Sequence, residues 1–461
     1  MRKHTKWIYA ALLSICMALF LITVPASAAE TEVSTETDLR NALATSSISE
    51  IKLKGKIEIS NTLTVDRTVA LDLNGFVLQM TDKKSVIKVE SSGDLTIQDS
   101  DPSKSHRFTP NSDGLWKLDE TSGTETVSGG VITGGVASEN IGDARFPCYC
   151  GGGVYIADGG KLTMTGGNIV GCTATDHGGG VYVTTGTLTM TGGNIVGCTA
   201  MFGGGIYCSR NGNKIEMSGT ALVRDCRAKE DGGGIWIYGE LSMWNNAAIR
   251  SCTARHGGGV NVNSSSKLSM YNNAVIEGCK AIGDGENFYA AQGGGIRVSN
   301  NASLTMSGNA SVMNCSAERS DGSPSSYGGG VSTDTVKEII LDGDARIDQG
   351  SAPNQIGLYI TGSAWSGYGN LYANGGSVNG DVILGDDKDC PCTITRTGSG
   401  RTAFNGTVTV HPGSTIKSGW FYGTVNNNGA ITGGWFHGTV NNNGAITGGV
   451  FDGTVTNGAS G

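Results

Sequence analysis

The sequence predicts an all-β chain that folds as a parallel β-solenoid, and a repeated stretch is the first observation behind this prediction. Residues 162–174 and 188–200 both read LTMTGGNIVGCTA, and each copy follows a GGGVY block. Looser copies begin at Ile215, Leu241, Leu268 and Leu304. The six starting positions therefore lie 26, 27, 26, 27 and 36 residues apart, and a period in this range is typical of stacked structural repeats.

The second observation is that apolar and polar residues alternate within each copy, as they do in a β-strand. Leu162 and Met164 flank Thr163, and the VYV run at 181–183 repeats the pattern. The third observation is that Gly-Gly, Asn-Asn and Gly-Asn pairs separate these runs and indicate turns. Three short strands in about 26 residues can form one coil of a solenoid, whose neighbouring coils pair at ~4.8 Å.

Stacking is expected to align equivalent residues in columns. The leucine column contains Leu162, Leu188, Ile215, Leu241, Leu268 and Leu304, the methionine column contains Met164, Met190, Met217, Met243, Met270 and Met306, and the cysteine column contains Cys172, Cys198, Cys226, Cys252, Cys279 and Cys315. Residues two apart on a strand share a face, so the leucine and methionine columns should both point inward. Stacked cysteines point the same way, which disfavours S–S bonds, so we expect buried thiols that act as small apolar side chains.

The amino-terminal part predicts a cap followed by the first strands. Residues 34–46 have helical spacing at Leu39 and Leu43, and Thr35 and Asp38 are placed as a capping box. A short amphipathic helix here would cover the open first coil and protect its edge. We therefore predict a cap and first strands over residues 29–60 and a parallel β-helix over 61–417. Within the β-helix, residues 99–126 are interpreted as a polar loop between coils, after which the next coil starts at Val127.

A shorter repeat takes over near the carboxyl terminus. WFYGTVNNNGAITGG, WFHGTVNNNGAITGG and VFDGTVTNG follow one another with a period of 15, which predicts a β-repeat tail over residues 418–461. A smaller coil and a β-meander both fit this period. Phe421, Phe436 and Phe451 are kept in all three copies and should point inward. The residues on either side of each Phe should face outward, because Asp452 occupies one of those positions.

The first 28 residues predict export. Arg2, Lys3 and Lys6 precede an apolar run, and Ala26-Ser27-Ala28 supplies a signal-peptidase pattern. Removal of residues 1–28 changes 33 Lys+Arg against 41 Asp+Glu into 30 against 41, a net charge of −11. An acidic chain without basic clusters argues against nucleic-acid binding. No second stretch of about 20 apolar residues is present, so we expect a secreted or cell-surface protein without a membrane span in the mature chain.

The coil motifs carry a resemblance to a known family. GGGVY, LTMTGGNI and the closing TA, with TLTVDRTVALDLNGFVLQM near the start, resemble the right-handed parallel β-helix family in its broad pectate-lyase-like sense. More narrowly, they look like secreted or surface proteins of gut bacteria, and the repeats are similar in style to polymorphic outer-membrane-protein adhesins. Those adhesins end their repeat with FxxN, whereas this chain has IVGC. The resemblance covers roughly residues 30–350 and implies adhesion to surface polymers, or carbohydrate chemistry with carboxylates on one face.

Two sets of residues are candidate ligand sites. Between the column cysteine and the next glycine block, the connection lengthens to residues 280–292 and then to 316–327. Insertions on one face of a solenoid often form its binding face. The first candidate site consists of Asp284, Glu286, Phe288, Tyr289, Glu318, Arg319, Asp321 and Tyr327, whose mixture of aromatic and carboxylate groups suits a saccharide. The second consists of the outward aromatic residues Trp420, Tyr422, Trp435 and His437, which suit sugar rings or a partner protein, or else pack against the end of the helix.

The sequence favours an exported, non-catalytic, adhesin-like protein that binds glycans, polysaccharides or a host or bacterial surface protein. The alternatives are a carbohydrate-active enzyme, such as a polysaccharide lyase or glycoside hydrolase, and a purely structural stalk. No catalytic residue is predicted, and Asp231 and His256 are interpreted as charged turn residues. No cofactor is predicted, because strands follow the glycine blocks where a phosphate loop needs a helix. No metal is predicted, since the calcium-binding nonapeptide GGxGxDxUx does not occur. Cys148 and Cys150 leave both a disulfide and metal binding open.

Overall fold

The computed structural model describes residues 29–139, 148–283, 291–319, 327–348, 356–361, 369–386 and 391–458, and these residues form a parallel β-helix. Successive coils each add one strand to three long parallel sheets. The strands of the first sheet are Ala29–Val33, Ile48–Leu53, Thr68–Asp72, Asp94–Gln98, Lys161–Met164, Thr187–Met190, Lys214–Met217, Glu240–Met243, Lys267–Met270, Ser303–Met306, Glu338–Leu341, Gly369–Ala373, Cys392–Thr395, Thr415–Ile416, Ala430–Ile431 and Ala445–Ile446. The predicted fold class is therefore confirmed.

The second and third sheets complete the coils. The second sheet contains Ile57–Ile59, Val77–Met80, Val131–Thr133, Asn168–Val170, Asn194–Val196, Leu222–Arg224, Ala248–Arg250, Val275–Glu277, Ser311–Met313, Arg346–Asp348, Ser377–Asn379, Ala403–Phe404, Trp420–Phe421, Trp435–Phe436 and Val450–Phe451. The third contains Leu63–Val65, Ile87–Val89, Val154–Ile156, Val181–Val183, Ile206–Cys208, Ile235–Ile237, Val260–Val262, Ile296–Ser299, Val331–Asp334, Ile356–Ile360, Asp381–Leu384, Val408–Val410, Val425–Asn427, Val440–Asn442 and Val455–Asn457.

A fourth, short sheet lies between the second and third sheets in the middle of the β-helix. Its strands are Val136–Ala137, Thr173–Ala174, Thr199–Ala200, Arg227–Ala228, Thr253–Ala254, Lys280–Ile282 and Ser316–Glu318. The prediction of three strands per coil was therefore one strand short. The Thr-Ala pair that closes each repeat is too short to show a period of two, but its backbone pairs with the next coil as the longer strands do.

The core consists of the predicted columns. Leu162 pairs with Leu188 and Met164 with Met190, and the same register continues through the later copies. Every residue of the leucine and methionine columns is buried. The six column cysteines are also buried and carry free thiols, and each Sγ lies 3.2–3.7 Å from the carbonyl oxygen two residues earlier. Their prediction as buried apolar thiols is confirmed.

The glycine blocks turn the chain and bring neighbouring coils close together. Gly178 has a φ of 67°, a conformation that glycine adopts without steric cost. Gly179 is constrained differently, because a Cβ atom at that position would overlap the carbonyl oxygen of Thr199 in the next coil. The blocks therefore serve both backbone turning, which the sequence predicted, and close backbone packing between coils.

A single helix within the described residues, α1 (Glu36–Ala44), caps the first coil as predicted. Thr35 is its N-cap residue and its Oγ1 accepts a hydrogen bond from the Asp38 amide at 3.1 Å. Leu39 is buried against the first strands. Arg67, from the next coil, donates hydrogen bonds to the carbonyl oxygens of Ala42 and Leu43 and so gives further partners to the last carbonyl groups of the helix. No helix in the described part of the chain is long and apolar enough to cross a membrane.

The prediction that residues 99–126 form a loop was wrong. Ser105–Pro110, Trp116–Leu118 and Glu125–Ser128 form a three-stranded antiparallel sheet, the insertion sheet, and Val127 belongs to it; the coil resumes at Val131. Trp116 and Phe108 are buried against Val170 and Val196 on the outer face of the second sheet. The sequence indicates that this surface is covered, because Val170 and Val196 are apolar. The equivalent positions of the later coils carry the charged residues Arg224, Arg250 and Glu277.

The tail is a smaller coil, and the β-meander is excluded. Its strands pair in parallel and extend the same three sheets. Phe404, Phe421, Phe436 and Phe451 stack at 4.8–4.9 Å between ring centroids inside the coil. A ladder of buried amides accompanies them: the Asn427 side chain donates to Asn442 at 2.8 Å. Aromatic and amide stacking therefore replaces the broader aliphatic core of the 26-residue coils.

Candidate functional site

The two long corner insertions begin side by side, as predicted. Lys280–Ile282 and Ser316–Glu318 are neighbouring strands of the short sheet, and the Gly283 amide donates to the Glu318 carbonyl oxygen at 2.9 Å. The Glu318 carboxylate accepts a hydrogen bond from Ser316 Oγ at 2.6 Å and lies 3.8 Å from Lys280 Nζ. Glu318 therefore stabilises the base of the insertions, and Arg319 follows it in an exposed position.

The rest of the first candidate site divides into two groups. Tyr327 packs edge to face on Tyr359, with ring centroids 5.2 Å apart. Asp284, Glu286, Phe288, Tyr289 and Asp321 lie outside the described residues. A ligand site formed by both insertions therefore stays a prediction. The structure shows that the two insertions start next to each other, at Gly283 and Glu318.

A cleft that the sequence did not predict lies on the short sheet beside these insertions. Its volume is about 560 Å³, and its described lining comprises Asp113, Thr173, Ala174, Thr175, Thr199, Ala200, Met201, Arg227, Ala228, Lys229, Thr253, Ala254, Arg255, Ile282 and Gly283. Arg227 Nη1 donates to the Ser112 carbonyl oxygen at 3.3 Å, so the tip of the insertion sheet forms one wall. Asp113 is the only carboxylate in the described lining, whereas glycoside hydrolysis uses a pair.

The charged residues at the neighbouring corner are engaged with one another. Glu230 and Arg255 form an ion pair at 2.5 Å. Burial raises the pKa of Asp231, against the opposing effect of Arg297 and Arg255. Burial also lowers the pKa of His177. These positions are therefore half-buried parts of the corner, not freely solvated turn residues as the sequence suggested.

An aromatic ladder on the outer face of the third sheet is a second feature that the sequence analysis missed. Tyr155, Tyr182, Tyr207 and Trp236 stack with centroid spacings of 5.4, 5.5 and 4.4 Å and interplanar angles of 7–12°. Recurrence of an aromatic residue in GGGVY, GGGIY and GGGIW was the available signal. Because these rings cover one another's faces, they stabilise the sheet and present mainly ring edges outward.

The tail places the second candidate set, Trp420, Tyr422, Trp435 and His437, on its outer face, as predicted. Tyr422 and His437 stack at 4.8 Å, and the His437 ring also lies 5.8 Å from the Trp435 ring. Asp452 holds this group together, because it accepts a hydrogen bond from Trp435 Nε1 at 2.7 Å and lies 3.1 Å from His437 Nδ1. Tyr422 remains 47% exposed and Trp435 37% exposed. The second candidate site is therefore an ordered outward surface.

The two tail tryptophans also line a basic cleft, which we call the tryptophan cleft. Its described lining is Arg396, Arg401, Lys417, Ser418, Gly419, Trp420, Gly434, Trp435 and Val450, around a volume of about 310 Å³. The Arg401 guanidinium lies 5.1 Å from the Trp420 ring centroid and 6.0 Å from that of Trp435. Within the described residues, no carboxylate lines the cleft or forms an ion pair with its three cations.

Comparison of the chain with protein-family models, with curated proteins and with solved structures finds no match. The class of protein defined here is thus a parallel β-helix with an insertion sheet, a short fourth sheet and a basic, tryptophan-lined cleft in its tail. The geometry of the described residues carries the functional proposal.

Proposed function

We propose that this chain is an exported, non-catalytic surface protein that binds acidic glycans through the tryptophan cleft. The observation that carries the proposal is the convergence of Arg396, Arg401 and Lys417 on two indoles, with no carboxylate in the described lining. Export follows from the signal peptide expected at residues 1–28. The elongated stack of coils, in this proposal, presents the cleft to a polymer outside the cell.

The chemistry of the cleft fits an anionic sugar. A guanidinium binds a carboxylate or sulfate through two parallel hydrogen bonds, which a neutral sugar cannot accept with the same strength. An indole offers apolar area to the C–H face of a sugar ring, and Trp435 is partly exposed. Because Arg401 lies over both indoles, a ring that carries an acidic group can engage charge and apolar surface together.

This proposal is tested by isothermal titration calorimetry on the full mature chain. The two ligands are an oligouronide and a neutral oligoglucan of equal length. We expect the oligouronide to bind, and Arg401→Gln to weaken binding by at least about tenfold, since hydrogen bonds to charged groups contribute about 1.5–3 kcal/mol. Trp435→Ala should weaken binding while the circular dichroism spectrum is unchanged. Lys267→Gln, which removes an exposed cation four coils away from Arg401, is the matched control. Unaltered affinity of Arg401→Gln and Trp435→Ala would contradict the proposal.

A carbohydrate-active enzyme is the alternative, and one assay separates it from adhesion. Purified protein is incubated with a polyuronide, and new reducing ends and unsaturated products are followed over time. We expect no hydrolysis in either cleft, because their described linings contain a single carboxylate, Asp113, whereas glycoside hydrolysis uses a pair. A binding protein should give no unsaturated product either. Turnover that is abolished by Asp113→Asn would establish the enzyme in place of the binding protein.

A further inference from the structure

Cys148, Cys150 and His177 form a cluster that the proposed function does not use. Their ligand atoms, two Sγ and one imidazole nitrogen, all lie within 4.8 Å of one another. Cys148 and Cys150 are joined as a disulfide, whereas the six column cysteines carry free thiols. Cys150 Sγ lies 3.5 Å from His177 Nδ1. A reducible disulfide is thus placed beside a histidine at the corner of the β-helix.

The backbone holds these three side chains together. Cys150 and His177 are bridge partners on neighbouring coils, and the Gly151 amide donates to the His177 carbonyl oxygen at 3.0 Å. The Tyr149 amide donates to Asp176 Oδ2 at 3.2 Å, and the Asp176 amide donates to the Tyr149 carbonyl oxygen at 3.1 Å. The imidazole packs against the Phe202 and Tyr207 rings of the next coil. The backbone therefore holds the two cysteines and the imidazole close to one another.

The distances fit a tetrahedral zinc ion. With Zn–S of about 2.3 Å and Zn–N of about 2.0–2.1 Å, a thiolate and an imidazole nitrogen on one tetrahedral zinc lie about 3.6 Å apart. Cys150 Sγ and His177 Nδ1 already have this separation, at 3.5 Å. We propose that reduction of the Cys148–Cys150 disulfide opens a Zn²⁺ site whose ligands are Cys148, Cys150 and His177. The disulfide is the metal-free, closed form of the site.

Opening the site requires a thiol reductant from the surroundings. One thiolate attacks Sγ of Cys148, which is half-buried, and the fully buried Cys150 leaves as a thiolate beside His177. A second thiol then releases Cys148, so that one external disulfide and two protein thiols result from two external thiols and one protein disulfide. Binding of Zn²⁺ displaces the two thiol protons and leaves a fourth tetrahedral position for water.

Cobalt(II) titration of the full mature chain tests the proposal, because thiolate-bound cobalt absorbs in the near ultraviolet. The protein is prepared oxidised, or reduced with a water-soluble phosphine, which becomes the phosphine oxide as water supplies its oxygen. We expect one cobalt per reduced chain with thiolate-to-cobalt absorption, lost on addition of Zn²⁺, and no such absorption for the oxidised chain. The buried column thiols are present in both forms, so they cancel in the difference between the two spectra.

Variants assign the ligands. His177→Ala should weaken cobalt binding by at least about tenfold, since even outer-shell partners of a metal site are worth that much. The double variant Cys148→Ser/Cys150→Ser should lose the thiolate absorption. His256→Ala is the matched control, because His256 occupies the same corner three coils further on and should bind as the unmodified chain does. Equal absorption by the oxidised and reduced chains, no absorption by the reduced chain, or full binding by His177→Ala would overturn the proposal.

Discussion

At the residue scale, the methionine column shows how much a single side chain contributes. Met243 lies in register with Met217 and Met270, and all three are fully buried. Full burial of such a side chain contributes roughly 1.5–3 kcal/mol, and truncation adds the cost of the cavity that remains. The coil above and the coil below share that cavity, so neither can close it by a local shift.

We therefore expect Met243→Ala to lower the free energy of unfolding by about 2–5 kcal/mol, read from the shift of the urea midpoint. Ser242→Ala is the control, because Ser242 is the neighbouring residue on the same strand and is only partly buried. Its effect should stay within about 0.5 kcal/mol. Similar midpoints for the two variants would contradict the inward assignment of the methionine column.

Asp231 predicts a pH-dependent loss of stability. Burial raises its pKa, so the folded protein binds this proton more tightly than the unfolded chain. The stability linked to the proton is present below the unfolded pKa of about 3.9 and is lost as the pH rises through the folded pKa. Asp231→Asn should therefore raise the melting temperature at pH 7 and have little effect near the unfolded pKa. Asp158→Asn, which alters an exposed carboxylate, is the control and should leave the melting temperature unchanged at both pH values. A lower melting temperature for Asp231→Asn at pH 7 would contradict the assignment.

At the element scale, the insertion sheet covers apolar surface that the repeats leave on the outside. Trp116 reaches the second sheet where Gly171 and Gly197 leave room, and its amide donates to the Gly197 carbonyl oxygen at 3.1 Å. Arg224 lies 5.0 Å above the Trp116 ring and closes the contact on the next coil. Trp116 therefore joins the insertion sheet to the second sheet through both its ring and its backbone.

Trp116→Ala should detach the insertion sheet without unfolding the coils. The expected loss is about 3–5 kcal/mol, because the whole ring is buried. Limited proteolysis followed by mass spectrometry should reveal new cleavage between residues 99 and 130. Trp236→Ala removes a tryptophan from the aromatic ladder of the third sheet and is the matched control, which should leave that segment protected. An unchanged cleavage pattern in Trp116→Ala would show that the insertion is held in another way.

At the scale of the whole molecule, each coil contacts mainly the coils next to it, so stability is distributed along one axis. Helix α1 covers the first coil. At the other end, Val450 and Val455 are 49% and 40% exposed, and Val455–Asn457 pairs on one side among the described strands. The carboxyl-terminal coils should therefore open more readily than the central ones.

Hydrogen exchange should follow this gradient. Amides in residues 440–457 are expected to exchange fastest, and amides in 241–282 slowest, because opening begins at the less buried end. Exchange measured by mass spectrometry on overlapping peptides resolves the two regions. Residues 36–53, which comprise helix α1 and the strand that follows it, provide an internal comparison and should be better protected than the last coils. Uniform protection along the chain would instead indicate cooperative unfolding of the whole stack.

The sequence by itself determined the coil. Strand alternation and the 26-residue period are local rules, and repeating them aligns Leu162 with Leu188 and Met164 with Met190 without reference to the rest of the chain. The capping helix and the outward placement of Trp435 also follow from local patterns.

Only the tertiary structure decided where distant residues meet. Arg227 contacts Ser112 across 115 positions, and Arg401 reaches Trp435 from a different coil. The order of the insertion sheet, the fourth strand of each coil, the basic lining of the tryptophan cleft and the disulfide beside His177 likewise came from the structure. A period predicts contacts between equivalent positions, whereas the contacts of Arg227 with Ser112 and of Arg401 with Trp435 join positions that are not equivalent.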